Sequence, residues 1–225
     1  MTMEDRSDED LLAEATRLYE RDLLLKAARL LHTVQDTSKF LVVHRECLRR
    51  AAIMEKLRSD LTARSSEGWT KQGESHGHRD FIVYYKIEDN GLLKCRIESV
   101  IEASLYVPFL STMNETDLYD EWFPKWSYPF KLGIRRSVKL AQRARVDQVV
   151  QLTVDLPLFM SNREVVFWAF ADDDGPATRT VAAKLLSVDS DFDDGSLVPE
   201  VERNVVRIDF EADYYFVPAR SIIQP

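Results

Sequence analysis

Leu156-Pro157-Leu158-Phe159-Met160-Ser161-Asn162-Arg163-Glu164-Val165-Val166 is the stretch on which the reading of this chain turns. Its second half opens a β-rich run, 163–171, and a similar run, about 147–155, precedes it. The apolar residues between them are therefore read as a loop joining two strands. Working outward, further strands are expected at about 132–144, 178–188 and 204–217. The last alternates most clearly, with Val206, Ile208, Phe210, Ala212, Tyr214 and Phe216 against Arg207, Asp209, Glu211 and Asp213. Turn residues separate these runs at Asp172-Asp173-Asp174-Gly175-Pro176 and Asp193-Asp194-Gly195-Ser196.

Upstream, 103–123 reads as two short helices. Phe81–Ile87 and Leu92–Val100 read as strands joined by the hairpin turn Asp89-Asn90-Gly91. Before these, 8–34 and 38–64 carry helical spacing with no glycine or proline in either stretch. Ser7 and Asp10 form an N-terminal capping pair, and Gln35-Asp36-Thr37-Ser38 makes a polar break. Helices, strands, two helices and then a run of antiparallel strands make the class α+β. The division expected is a helical hairpin over 1–65 and a β-rich domain over 66–225.

The 225 residues are 45% hydrophobic and carry a formal charge of −8. Residues 66–145 hold 12 basic and 11 acidic side chains, and residues 146–225 hold 6 and 15. A nucleic-acid binder needs a basic surface, so that class is excluded as an expectation. No apolar run reaches the roughly 20 residues of a spanning helix, and the acidic start lacks a signal peptide's features. A soluble, cytoplasmic protein is expected. Cys47 and Cys95 fit no metal spacing and are expected to be free, half-buried thiols.

Two motifs carry a resemblance over about residues 66–220. Leu118-Tyr119-Asp120-Glu121-Trp122-Phe123-Pro124-Lys125-Trp126 is similar to the tryptophan-rich turn after the second inserted helix of START (steroidogenic acute regulatory protein-related lipid transfer) domains. Leu156–Val166 is similar to that family's Pro…Ser-Asn-Arg-Asp/Glu segment, and the order of elements matches. The resemblance implies a helix-grip fold, in which a curved antiparallel sheet with inserted helices wraps a hydrophobic tunnel. It implies non-enzymatic binding and transfer or sensing of a lipid, with transient membrane contact. In that family another strand and a closing helix follow the strand resembling 204–217. Here eight residues remain, Pro218–Pro225. Either the sequence is a truncated piece and the domain is C-terminally incomplete, or the cavity is open at that end, where the N-terminal hairpin or a partner chain would cover it.

On that reading the inner face collects Ile97, Ile101, Leu132, Ile134, Val138, Leu140, Phe210, Tyr214 and Phe216. Arg136 stands among the inward residues of its strand, where a guanidinium is costly unless paired. It is thus a candidate for a lipid head group or an internal ion pair. Tyr84 and Tyr214 are further candidates to fix a head group. Leu156, Leu158, Phe159 and Met160 are expected to gate the tunnel or touch membrane, beside the basic stretch Lys125 to Arg145. The alternatives are an interaction scaffold using the N-terminal helices, or a helix-grip hydrolase or cyclase. Asp189-x-Asp191-x-Asp193 with Glu200 lacks the glycine of a calcium loop at its sixth place. His76-Gly-His78 offers too few ligands for zinc. No metal or cofactor is expected.

Overall fold

The computed structural model describes residues 6–62, 68–76, 80–123, 125, 132–157, 160–173, 179–190, 192 and 196–218. Three helices open the chain: α1 (Asp8–Tyr19), α2 (Leu24–Leu31) and α3 (Val42–Thr62). The strands β1 (Thr70–Ser75), β2 (Phe81–Ile87) and β3 (Leu93–Ser99) follow, then α4 (Tyr106–Asn114) and α5 (Tyr119–Trp122). The chain continues through β4 (Gly133–Gln142), β5 (Gln148–Asp155), β6 (Asn162–Asp173), β7 (Val181–Ser187), β8 (Val205–Arg207) and β9 (Glu211–Phe216).

Ser7 caps α1 as its spacing with Asp10 predicts, its Oγ accepting from Asp10 N–H at 3.2 Å. The single helix expected over 8–34 breaks after Tyr19, however. Leu23 N–H reaches Leu18 O and Asp22 N–H reaches Tyr19 O, both at 3.0 Å. Asp22 itself is left-handed, at φ 58°. This is a Schellman ending with aspartate where glycine is usual. Tertiary contacts hold it there: Asp22 O accepts from Asp173 N–H at 3.0 Å, and its carboxylate meets Arg145 at 3.2 Å. The next helix then takes its cap from the sheet, Leu25 N–H donating to Asp172 Oδ1 at 2.9 Å. A break whose partners lie well over a hundred residues away leaves no local trace.

Strands β1–β3 form a three-stranded antiparallel sheet, while the larger sheet runs β4-β5-β6-β7-β9. Within it, β8 pairs in parallel with the start of β6, beside residues 162–164, and β7 pairs antiparallel with 167–173. The strand expected over 204–217 is therefore two strands. The chain leaves β6 where Ile208 N–H donates to Glu164 O at 2.9 Å, and joins the edge of β7 where Ser187 N–H donates to Phe210 O at 2.8 Å.

Helices α1–α3 lie on one face of the large sheet. Leu11, Ala15, Leu24, Ala28, Leu31, Met54 and Leu57 share one apolar cluster with Val149, Val166, Trp168, Phe170 and Ala182. The stretches on either side of residue 65 thus fold around a common core. Strand β6 is covered on both faces, which is why Val165 to Ala171 is a continuous apolar run rather than an alternating one. Cys47 lies inside this core, burial pushing its thiol up to about 12, while Cys95 is exposed on β3.

One buried and one half-buried group make this helix layer sensitive to acid. His44 Nδ1 accepts from Leu41 N–H at 3.2 Å, and its Nε2 donates to Thr16 Oγ1 at 3.0 Å. The ring is neutral, and burial holds its pKa below the ordinary 6.5. Hydrogen bonds from Arg49 first, and from Arg50, hold the Glu46 carboxyl at about 2, down from 4.5. Both folded values lie below the unfolded ones, so the unfolded chain binds protons more readily and acid favours it. The melting temperature is expected to fall in two stages, as pH drops below 6.5 and again from 4.5 toward about 2. His44→Gln is expected to remove the first stage. Thermal unfolding across pH checks this, and a midpoint that stays level until the carboxylate range would contradict the His44 part.

Candidate functional site

The opposite face of the large sheet is apolar and is covered by α4. Val150, Val165, Phe167, Ala169, Ala171, Val181, Ala183 and Leu185 form its buried floor, with Phe109 and Met113 of α4 set into it. Three alanines among them keep the floor low beneath the helix. Phe109 packs edge-on to Phe216 at 5.8 Å between ring centroids, and Tyr214 stacks parallel to Phe216 at 6.2 Å. Burial raises the pKa of the Tyr214 phenol.

Side chains fasten α4 at both ends. At its start, Tyr106 Oη donates to Asp173 Oδ1 at 3.0 Å. At its end, backbone carbonyls that a helix leaves unpaired are met by side chains. Tyr119 Oη donates to Thr112 O, Gln148 Nε2 to Met113 O, and Lys139 Nζ to Asn114 O at 3.0 Å. Ser137 Oγ donates to Thr116 O just beyond. Tyr119 then packs edge-on to Trp122 and Phe123, at 5.3 and 5.0 Å between ring centroids. Around this buried centre lies an exposed apolar rim: Val107, Leu118, Trp122, Leu132 and Phe210 are each at least 37% exposed.

The residues singled out from the sequence divide by location. Ile134 is buried on the α4 side, since it pairs with Val154, and Tyr214 lies in the floor there. Phe210 is half outside it, its ring 6.1 Å from that of Phe167. Arg136 and Val138 are on the other face. A β-bulge between Ile134 and Arg136 shifts the register, so Arg136 pairs with Thr153 and Val138 with Gln151. Arg136 meets Glu202 at 3.3 Å, both side chains more than half exposed, a pair worth little in stability. A second bulge, between Lys139 and Ala141, places Leu140 against the helix-side core. Ile97 is exposed in the small sheet, Ile101 is exposed just beyond it, and Tyr84 is half-buried there between Lys71 and Arg96.

Of the loop before β6, Leu156 is half-buried and Met160 is exposed, while Leu158 and Phe159 lie outside the described residues. The Asn-Arg-Glu motif performs structural tasks. Asn162 Oδ1 accepts from Leu156 N–H at 3.2 Å. Glu164, fully buried, receives Arg207 at 2.6 Å and Gln151 at 2.5 Å. Residues of the basic stretch are similarly engaged: Arg145 bridges Asp22 and Asp173, and Arg143 lies 5.2 Å over Phe192.

A charged cavity of about 270 Å³ sits where α1–α3 meet the sheet, away from α4. Tyr19, Arg50, Arg143, Asp147 and Phe170 line it. Arg50 binds Asp147 at 2.6 Å and Glu46 at 2.8 Å, with its guanidinium 4.4 Å over Trp168. Trp168 Nε1 in turn donates to Asp147 at 2.8 Å. Among the described residues no group of three or more His, Cys, Asp or Glu side chains is placed to hold a metal ion. No helix among them is long and apolar enough to cross a membrane.

The crystal structure of a fragment of a STAR-related lipid transfer protein from Xanthomonas axonopodis superimposes on this chain with a TM-score of 0.53. The match covers 68% of this chain and 75% of that one, at 18% sequence identity. The fold is START-like. It is an α+β arrangement with N-terminal helices before an antiparallel sheet, as the element order predicts. No protein-family model and no curated protein sequence matches the chain.

Sequence reasoning missed Phe109, Met113, Thr116 and Gln148. Phe109 and Met113 are four residues apart on one helical face, a spacing that could have marked them. Gln148 gave no signal, being a polar residue at the start of a strand.

Proposed function

We propose that this chain binds a lipid against the α4-covered face of its large sheet and carries or senses it without chemical turnover. The observation that carries the reading is that face itself, a buried apolar floor with a helix laid over it and a ring of exposed apolar side chains at its margin. Large exposed apolar side chains beside a buried apolar floor favour interaction with a ligand, membrane or partner. The likeness to a STAR-related lipid transfer protein favours the lipid. Each methylene taken out of water contributes about 0.8 kcal/mol, so ten give roughly 8 kcal/mol before the costs of ordering. Binding strength would then come from the chain, and polar contacts would choose among head groups.

Residues 156–160, with Met160 exposed, are proposed to meet the membrane surface during exchange, in a peripheral and cytoplasmic setting. The N-terminal helices use their apolar faces against the sheet, so the partner-docking alternative gains no support from them. Purified protein is expected to carry lipid detectable by mass spectrometry of a solvent extract, and to speed lipid movement between vesicles. Lipid-free protein with transfer at the protein-free rate would sink the proposal.

A further inference from the structure

Three side-chain oxygens at the end of α4 have no hydrogen-bond partner among the described residues: Asn114 Oδ1, Thr116 Oγ1 and Gln148 Oε1. Gln148 is wholly buried and Thr116 is 1% exposed. Such groups are costly to leave unpaired and are rare in native interiors. The Gln148 amide is oriented by its neighbour. Gln148 gives its amide N–H to Met113 O, so the opposite end of the amide is the acceptor. The backbone carbonyls of Asn114 and Thr116 are already taken by Lys139 and Ser137. Gln148 pairs in register with Ala169, which puts it on the same face as the apolar floor. Its bond to Met113 brings it to the turn that carries Asn114 and Thr116.

We infer that these three oxygens form the polar end of the lipid site and select a neutral ligand whose head carries an O–H or N–H donor. The inference rests on the lipid-binding reading and narrows it. Two amide carbonyls and a hydroxyl present mostly acceptors, which complement an alcohol or an amide. A carboxylate or phosphate would face their negative ends. The Lys139 ammonium nearby spends one of its three donors on Asn114 O, so attraction of an anionic head by this cation is the competing outcome that the fatty-acid probe tests. A sterol and a diacylglycerol share the required hydroxyl, so the test separates them.

The full chain would be titrated with four probes in phosphatidylcholine vesicles: a fluorescent sterol with a free hydroxyl, its methyl ether, a pyrene-labelled diacylglycerol and a pyrene-labelled fatty acid. Wild-type protein is expected to take up at least one of the two alcohols, and to prefer it over the ether and the acid. Which alcohol is taken identifies the source of the hydroxyl. Thr116→Val is nearly isosteric and removes a hydroxyl oxygen that has no partner among the described residues. It is expected to melt at the same temperature or higher, yet to bind the preferred alcohol about 3- to 10-fold more weakly, the worth of one neutral hydrogen bond. Thr116→Ser is expected to bind as wild type does. Unchanged alcohol binding by Thr116→Val, or a preference for the fatty acid, would overturn the inference and leave lipid binding standing. No uptake of any probe by wild type would overturn both.

Discussion

Replacing Arg50 with methionine is expected to destabilise the chain by about 3–5 kcal/mol, the range for removing one partner of a buried ion pair. Arg50 and Asp147 are 8% and 7% exposed and meet at 2.6 Å. Methionine keeps an unbranched stem against Trp168 but leaves the Asp147 carboxylate in the interior, with Trp168 N–H still donating to it. Much of the loss therefore comes from the stranded charge and not from the bond itself. The double variant Arg50→Met with Asp147→Asn removes that charge as well. It is expected to cost less than the sum of the two single changes, since the two sites share one network. Urea denaturation followed by tryptophan fluorescence measures all three. A loss under about 1 kcal/mol for Arg50→Met alone would mean that this pair does not clamp α3 to the sheet.

Phe109→Ala is expected to have a comparable effect, about 3–5 kcal/mol, by a different mechanism. Phe109 is fully buried between α4 and the sheet and packs edge-on to Phe216. Truncation loses the transfer energy of the ring and leaves a cavity that the polar bonds at both ends of α4 keep from collapsing. Phe109→Leu, which refills most of the volume, is expected to cost less. Denaturant midpoints of the two variants test this. Equal midpoints for Phe109→Ala and wild type would show that α4 does not depend on this ring for its seat.

Much of the fold was legible because its local signals agree. Asp89-Asn90-Gly91 turns as expected, with Gly91 at φ 81° and Leu92 N–H donating to Asn90 Oδ1 at 3.0 Å. The strand runs from 132 to 188 appear close to where alternation and β-branched residues place them. Of the residues read from the sequence as inward-facing, Ile134, Tyr214 and Phe216 lie on the α4 side of the sheet. Nothing local hinted that Gln148 would be buried there, because a lone polar side chain at a strand's start looks the same whether it faces water or a helix end.

The sequence by itself determined which stretches are helical and which are extended, where the hairpin turns, and that the chain is an α+β protein with helices before its sheet. These depend on neighbours a few residues away, whose periodicity and capping chemistry are printed in the chain. Tertiary structure alone decided three things: that the first helix breaks at Asp22, that Arg136 and Val138 face away from α4, and that 204–217 serves two different strands. In each case the deciding partner is remote. Arg145 and Asp173 hold Asp22, a bulge paired against β5 turns Arg136 and Val138 over, and Glu164 and Ser187 divide the last strand. A strand's period of two makes one inserted residue enough to reverse a face, and only the pairing strand reveals the insertion.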